Sequence, residues 1–119
     1  ETLKSVPAVL PALMRSEKVQ HRAAKCGFDY PSIEYALKDL DSEIIELKEA
    51  IAEGNQAHID EELGDLLFSA VNVSRFTKTD AEEALTRSCE KFISRFEQVE
   101  KMAAFNGIDM KQASIKKLV

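Results

Sequence analysis

The sequence predicts an all-α fold, an antiparallel bundle of four main helices, from three observations. Apolar residues recur at intervals of three and four along most of the chain, and no segment sustains a period of two. The 119 residues include only 4 Gly and 3 Pro, which is too few for a many-turned β-sandwich. Turn-forming residues are widely spaced, and the segments between them are long enough for helices of about 30 Å. Short turns make neighbouring helices antiparallel.

The first two helices are expected on either side of a turn at residues 27–31. The first runs from about Ala8 or Pro11 to Lys25 and has the weakest periodicity of the set. The second begins near Ser32, a residue type that caps helix N-termini, and ends at Gly54. Its apolar stripe is unbroken and consists of Ile33, Leu37, Leu40, Ile44, Leu47 and Ile51.

The third and fourth helices show the same spacing. The third runs from about Gln56 to Phe76, and the fourth begins at Asp80, with Glu83 placed as in a capping box, and ends at Gly107. A short additional helix is expected from Ser114. The two apolar stripes consist of Ile59, Leu63, Leu66, Ala70 and Val73 in the third helix, and of Leu85, Cys89, Phe92, Phe96, Val99 and Ala103 in the fourth.

Length and composition restrict the class of protein. Residues 1–119 suit a single domain, and the start at Glu1 instead of Met suggests a domain excised from a longer chain. The net charge of −5 argues against binding a nucleic acid polymer through its phosphates. No run approaches 18 apolar residues, so a membrane span is excluded. Cys26 and Cys89 are isolated, which predicts reduced thiols and a cytoplasmic location.

Two acidic pairs occupy matching positions on the second and third helices. Glu43 and Glu46, like Glu62 and Asp65, are spaced i, i+3 and stand at the same offset from the apolar stripe. In a hairpin that turns at Gly54, Glu46 lies opposite Glu62 and Glu43 opposite Asp65. Four carboxylates then converge and require neutralisation. Oxygen ligands without His or Cys favour Mg²⁺ before Mn²⁺ or Ca²⁺. The alternative is a pair of solvated helix flanks.

The histidines argue against a di-iron carboxylate site. Such a bundle uses Glu-x-x-His pairs, whereas Lys18 and Asn55 stand three residues before His21 and His58. Both histidines are therefore expected to be ordinary surface or rim residues.

The fourth helix places two cations on one face. Lys91 and Arg95 are four residues apart, and Arg is suited to bidentate phosphate contacts. They are candidates for binding the anionic oxygens of a ligand. The alternative is surface pairing with Glu90 or Glu97.

Asn72 and the aromatic residues of one turn each have two possible roles. Asn72 lies in an apolar stretch and must be hydrogen-bonded, either to a ligand or to a neighbouring helix. Residues 27–31 are expected to form a turn with aromatic anchors, in which Phe28 or Tyr30 has the alternative role of flanking a base.

The two acidic pairs also resemble the sequence signature of a known enzyme family. Glu43-Ile44-Ile45-Glu46, followed by Glu62-Leu63-Gly64-Asp65, resembles the ExxE…ExxD signature of MazG-type nucleoside triphosphate pyrophosphohydrolases. The resemblance covers nearly the whole chain. It includes Leu10-Pro11-Ala12-Leu13, Arg22-Ala23-Ala24, Gly27-Phe28-Asp29, Val71-Asn72, Glu90-Lys91-Phe92 and Arg95-Phe96.

The resemblance implies an all-α, Mg²⁺-dependent enzyme that hydrolyses nucleoside triphosphates to the monophosphate and pyrophosphate, as nucleotide-pool housekeeping. It implies a homodimer whose two chains complete the bundle. It further implies these roles: Glu43, Glu46, Glu62 and Asp65 bind the metal, and Lys91 and Arg95 contact phosphates. The chain departs from the family where members often carry a Lys, at Asp39 and His58, and it has no Trp.

Three functions follow as hypotheses. The first is this pyrophosphohydrolase, with Lys91, Arg95 and Asn72 as substrate-binding residues and Glu46 as the carboxylate that orients or deprotonates water. The second is a catalytically idle helical module that dimerises or regulates an attached domain. The third keeps the fold and changes the substrate, for example to dUTP or phosphoribosyl-ATP.

Overall fold

The computed structural model describes residues 3–112, which form four helices. These are α1 (Ala12–Lys25), α2 (Ile33–Glu53), α3 (Gln56–Phe76) and α4 (Ala81–Phe105), and the described residues include no strand. The predicted all-α class is confirmed. The helix expected from Ser114 lies outside the described residues. Within residues 3–112, no helix is both long and apolar enough to cross a membrane.

The described residues fall into two compact units that divide between Glu82 and Glu83. The first unit contains α1, α2 and α3, and α3 packs against both α1 and α2. The second unit contains nearly all of α4, on which the rings of Phe92 and Phe96 stack with centroids 6.3 Å apart.

A tight turn makes α2 and α3 a helical hairpin. Gly54 ends α2 in the left-handed region at φ 75°, and its N–H donates to the carbonyls of Ala50 and Ile51. Asn55 begins α3, and its side-chain oxygen accepts from the backbone N–H of His58 at 3.3 Å. Ser32 stands at the predicted cap of α2 in an extended conformation, but its hydroxyl makes no capping hydrogen bond. The predicted boundaries of both helices are confirmed.

The interior of the first unit is built from small residues. Ala36, Ala50 and Val71 are buried, whereas Ile51 and Leu63 of the predicted apolar stripes are 57% and 44% exposed. Within a single chain the apolar stripes are therefore only partly buried. In this unit α1 packs against α3 and leaves much of the hairpin uncovered, so a broad apolar surface remains exposed on α2 and α3.

Candidate functional site

The predicted convergence of carboxylates occurs between α2 and α3. Glu43 of α2 and Glu62 and Asp65 of α3 each place a carboxylate oxygen within 4.8 Å of the others. Glu46 is not part of this closest group, but it lies near enough to affect the charge of both Glu43 and Glu62. We call these four residues the acidic cluster. The hairpin turn sets the register that brings them together.

Burial and mutual repulsion weaken the acidity of the cluster. Desolvation, followed by the carboxylate of Glu46, raises the pKa of Glu43 to about 7. The same two causes raise the pKa of Glu62 above its usual value. The charged form of each is therefore costly unless a cation is near.

Two oxygens of the cluster have no hydrogen-bond partner. Oε2 of Glu43 and Oε2 of Glu62 are both buried and unpaired. Buried polar atoms are normally satisfied, so these oxygens mark a position for a group that is positively charged or donates hydrogen bonds. The set of oxygen donors without sulfur or imidazole nitrogen fits a hard divalent cation.

His58 lies at the rim of the cluster, which is one of the two settings expected from the sequence. Its Nδ1 is 3.0 Å from Oε2 of Glu53, and its Nε2 is 3.3 Å from Oε1 of Glu62. Desolvation acts to lower its pKa, but the carboxylates of Glu53 and Glu62 outweigh that effect and raise the pKa. These two contacts were not predicted from the sequence, although the i, i+4 spacing between His58 and Glu62 was a usable signal for one of them.

Asp39 is held beside the cluster by hydroxyl groups. Ser69 of α3 donates from its Oγ to Oδ2 of Asp39 at 2.7 Å. Burial, followed by the hydrogen bond with Asp39, raises the pKa of Tyr30. Asp39 stands one helical turn before Glu43, so a negative charge occupies a position where a Lys was expected from the resemblance.

A cavity of about 640 Å³ adjoins the acidic cluster. Glu43 and Asp65 belong to both, and the remaining wall is largely apolar, with the aromatic side chains of Phe28, Tyr30 and Phe68. This volume is in the range of small-molecule sites. Phe28 and Tyr30 therefore line a ligand-sized space, and the alternative that they flank a base stays a prediction.

Asn72 also lines the cavity, but its oxygen has a local partner. Oδ1 of Asn72 accepts from Nε of Arg75 at 3.0 Å and also from Nη2 of Arg75. Arg75 lies one turn further along the same helix, so the observed partner is not on a neighbouring helix, and contact of Asn72 with a ligand stays a prediction. The amide nitrogen of Asn72 is the group that remains for a ligand.

The predicted cations lie on α4 in the second unit. Lys91 and Arg95 are both exposed. The alternative of pairing with Glu90 or Glu97 is not observed within the described residues, where the ion pair on α4 joins Arg87 and Glu83. Contact of Lys91 and Arg95 with phosphate stays a prediction.

Comparisons with known proteins identify the family of the chain. Residues 32–100 match the family model described as the MazG nucleotide pyrophosphohydrolase domain. A nucleoside triphosphate pyrophosphohydrolase of Escherichia coli is 41% identical over 112 residues, which are 91% of this chain and 42% of the relative. A nucleoside triphosphate pyrophosphohydrolase/pyrophosphatase MazG of Thermotoga maritima is 37% identical over 110 residues, which are 92% of this chain and 42% of the relative.

A third relative is much longer. The protein YabN of Bacillus subtilis, described as uncharacterized, is 38% identical over 115 residues, which are 96% of this chain and 24% of that protein. The chain thus spans about two fifths of the length of the Escherichia coli and Thermotoga maritima relatives.

Proposed function

The chain belongs to the MazG nucleotide pyrophosphohydrolase family, and we propose that it hydrolyses nucleoside triphosphates to the monophosphate and pyrophosphate with Mg²⁺. The observation that carries the proposal is the pair of buried, unpaired oxygens of Glu43 and Glu62 within a group of three close carboxylates. Mn²⁺ is the expected substitute for Mg²⁺. The role is nucleotide-pool housekeeping in the cytoplasm, and the partner is a small nucleotide, with no nucleic acid polymer or membrane involved.

Each residue of the acidic cluster has an expected task. Glu43, Glu62 and Asp65, with Glu46 beside them, hold the cation, which supplies neutralisation of phosphate charge when it is bound. Glu46 lies outside the closest group, so its carboxylate is the one available to orient or deprotonate the attacking water. Holding water and phosphate in one geometry reduces the entropy cost of the reaction.

The remaining polar residues act on the substrate. Lys91 and Arg95 contact phosphate oxygens and stabilise the negative charge of the leaving pyrophosphate. Asn72 binds substrate through its amide nitrogen, since its oxygen is occupied by Arg75. The active form is a homodimer or a higher homo-oligomer, for which the exposed apolar surfaces of α2 and α3 provide the contact area.

Product analysis tests the reaction. The full chain is incubated with Mg²⁺ and each standard or damaged nucleoside triphosphate, and pyrophosphate and phosphate are detected separately. Monophosphate and pyrophosphate are the expected products. Diphosphate and phosphate would contradict the choice of bond. Glu49→Gln, an exposed substitution on α2, is the matched control for Glu43→Gln.

A second function has one observation in its favour. Asp39 and His58 stand where related enzymes often carry Lys, which is consistent with a catalytically idle module that dimerises or regulates an attached domain. Absence of hydrolysis for every triphosphate, including dUTP and phosphoribosyl-ATP, would favour that function.

A further inference from the structure

The side chain of Gln20 is fixed in one orientation on the wall of the cavity. Gln20 is only 7% exposed, and its Nε2 donates to the backbone carbonyl of Phe68 at 2.9 Å. The carbonyl oxygen of Phe68 can only accept, so a flipped amide would bring two acceptor oxygens together. The amide oxygen of Gln20 therefore points away from Phe68.

That oxygen is a buried acceptor without a partner. Oε1 of Gln20 is inaccessible to solvent and accepts no hydrogen bond from any described residue. An unsatisfied acceptor is costly in a folded protein, and such a group on the wall of a cavity is suited to a ligand that donates. Gln20 belongs to α1, whereas the acidic cluster is built by α2 and α3, so this acceptor is a separate contact point.

The cavity favours a neutral, flat group over a phosphate. Its wall is mostly apolar and includes three aromatic rings, and Phe28 is 82% exposed, so its face is available for stacking. The one guanidinium on the wall, that of Arg75, is already paired with Asp29. The carboxylates of Glu43 and Asp65 at the side of the cavity repel an anion that has no cation with it.

We propose that this cavity takes the base of the nucleotide and that Oε1 of Gln20 accepts a hydrogen bond from an N–H of that base. The inference rests on the proposed function, because it assigns the base to the cavity and the phosphates to the acidic cluster. Gln20 is then a specificity-determining residue. It discriminates against a base that presents no N–H at this point, since the acceptor would remain unpaired.

The test combines a change in the protein with a change in the base. The triphosphate that the full chain hydrolyses best is compared with an analogue in which the relevant N–H is removed or blocked. The analogue is purine riboside triphosphate for ATP, pyrimidin-2-one riboside triphosphate for CTP, N1-methyl-ITP for GTP and N3-methyl-UTP for UTP. Gln20→Met preserves side-chain length and removes the acceptor. Gln98→Met makes the same change at an exposed position outside the cavity.

The expected result is a coupling between the two changes. In the parent chain and in Gln98→Met, the analogue should lower kcat/KM at least about tenfold, whereas in Gln20→Met it should have little effect. Equal losses in the parent chain and Gln20→Met would overturn the role of Gln20. Absence of a loss in the parent chain would overturn it as well.

Two further measurements keep the outcomes separate. A thermal melt of Gln20→Met checks its folding, and Gln20→Leu replaces it if the melt is not cooperative. If the parent chain hydrolyses no triphosphate, the proposed function itself fails. If it hydrolyses triphosphates without the coupling, only the assignment of Gln20 fails.

Discussion

Arg75 on α3 is ion-paired with Asp29 in the connection between α1 and α2, with Nη2 of Arg75 2.6 Å from Oδ1 of Asp29. The pair ties the aromatic turn to the helix that carries Glu62 and Asp65. Because Arg75 also holds the oxygen of Asn72, a single guanidinium organises one side of the cavity. The hydrogen bond from Arg75 is the largest of the causes that lower the pKa of Asp29.

The first prediction concerns this ion pair. Asp29→Asn should lower the free energy of unfolding at pH 7 by about 1–2 kcal/mol, because a partly buried, charge-assisted hydrogen bond is lost. A lowered pKa gives stability that is present above the usual Asp value and is lost as the pH falls through the lowered pKa. The difference between variant and parent should therefore shrink below about pH 3.8. Urea unfolding measures it, with Asp41→Asn as an exposed control.

The second prediction concerns the acidity of Glu43 without metal. A pKa raised from 4.5 to about 7 gives stability that is full below pH 4.5 and is lost as the pH rises through 7. The free energy of unfolding in a chelator should therefore decrease between about pH 5 and pH 8. Glu43→Gln should reduce that slope, and Glu49→Gln should leave it unchanged. Equal slopes for the parent and Glu43→Gln would contradict the repulsion argument.

The hairpin register explains how much of the site could be predicted from sequence. A helix has a fixed period and the turn at Gly54 is short, so the heights of Glu43, Glu62 and Asp65 follow by counting from the turn. The same reasoning could not place Asp39, whose partners Ser69 and Tyr30 lie on other segments. Periodicity also reveals an apolar face without revealing what covers it, and Ile51 and Leu63 of the apolar stripes remain exposed.

Gln20 shows that the position of a buried acceptor cannot be predicted from the spacing of residues along the sequence. Its sequence neighbours suggest an ordinary polar residue of an amphipathic helix. Its importance depends on the carbonyl of Phe68, which is 48 residues away and fixes the direction of the amide. The cavity itself depends on how α1 and its following turn lie against α3, and no spacing within one helix predicts that.

The third prediction concerns metal binding. Mg²⁺ should raise the melting temperature of the parent chain, because it binds the folded cluster in preference to the unfolded chain. Glu62→Gln and Asp65→Asn should each raise the stability of the metal-free protein and abolish the stabilisation by Mg²⁺. Thermal melts with and without Mg²⁺ test this, with Glu49→Gln as control. A melting temperature indifferent to Mg²⁺ and to both substitutions would disprove a metal site here.

The fourth prediction concerns assembly. Ile45, Leu67 and Phe68 are exposed on α2 and α3, and Ile93 is exposed on α4. Exposed apolar side chains of this size favour contact with a second copy of the chain. Sedimentation should therefore detect a dimer at micromolar concentration. Leu67→Asp should weaken the dimer by placing a charge in the contact, whereas Glu49→Asp should not. A monodisperse monomer of the parent chain would exclude the shared bundle.

The fifth prediction concerns catalysis and distinguishes the effect of the carboxylates from the effect of the two cations, Lys91 and Arg95. Turnover should fall at least about a hundredfold in each variant of the acidic cluster, since each substitution keeps side-chain size and removes a negative charge. The variants are Glu43→Gln, Glu46→Gln, Glu62→Gln and Asp65→Asn. Lys101→Ala, exposed on α4, is the control for the cations that follow.

Lys91→Ala and Arg95→Ala should instead act on phosphate contacts, and the kinetic parameters show when those contacts form. Contacts that are equal in the ground state and the transition state raise KM when lost, whereas contacts that strengthen in the transition state lower kcat. Steady-state kinetics with Mg²⁺ and pyrophosphate detection measures both parameters. Wild-type kcat and KM in both variants would show that Lys91 and Arg95 do not bind the substrate. A hundredfold loss of turnover in the carboxylate variants alone would still support the acidic cluster as the centre of hydrolysis.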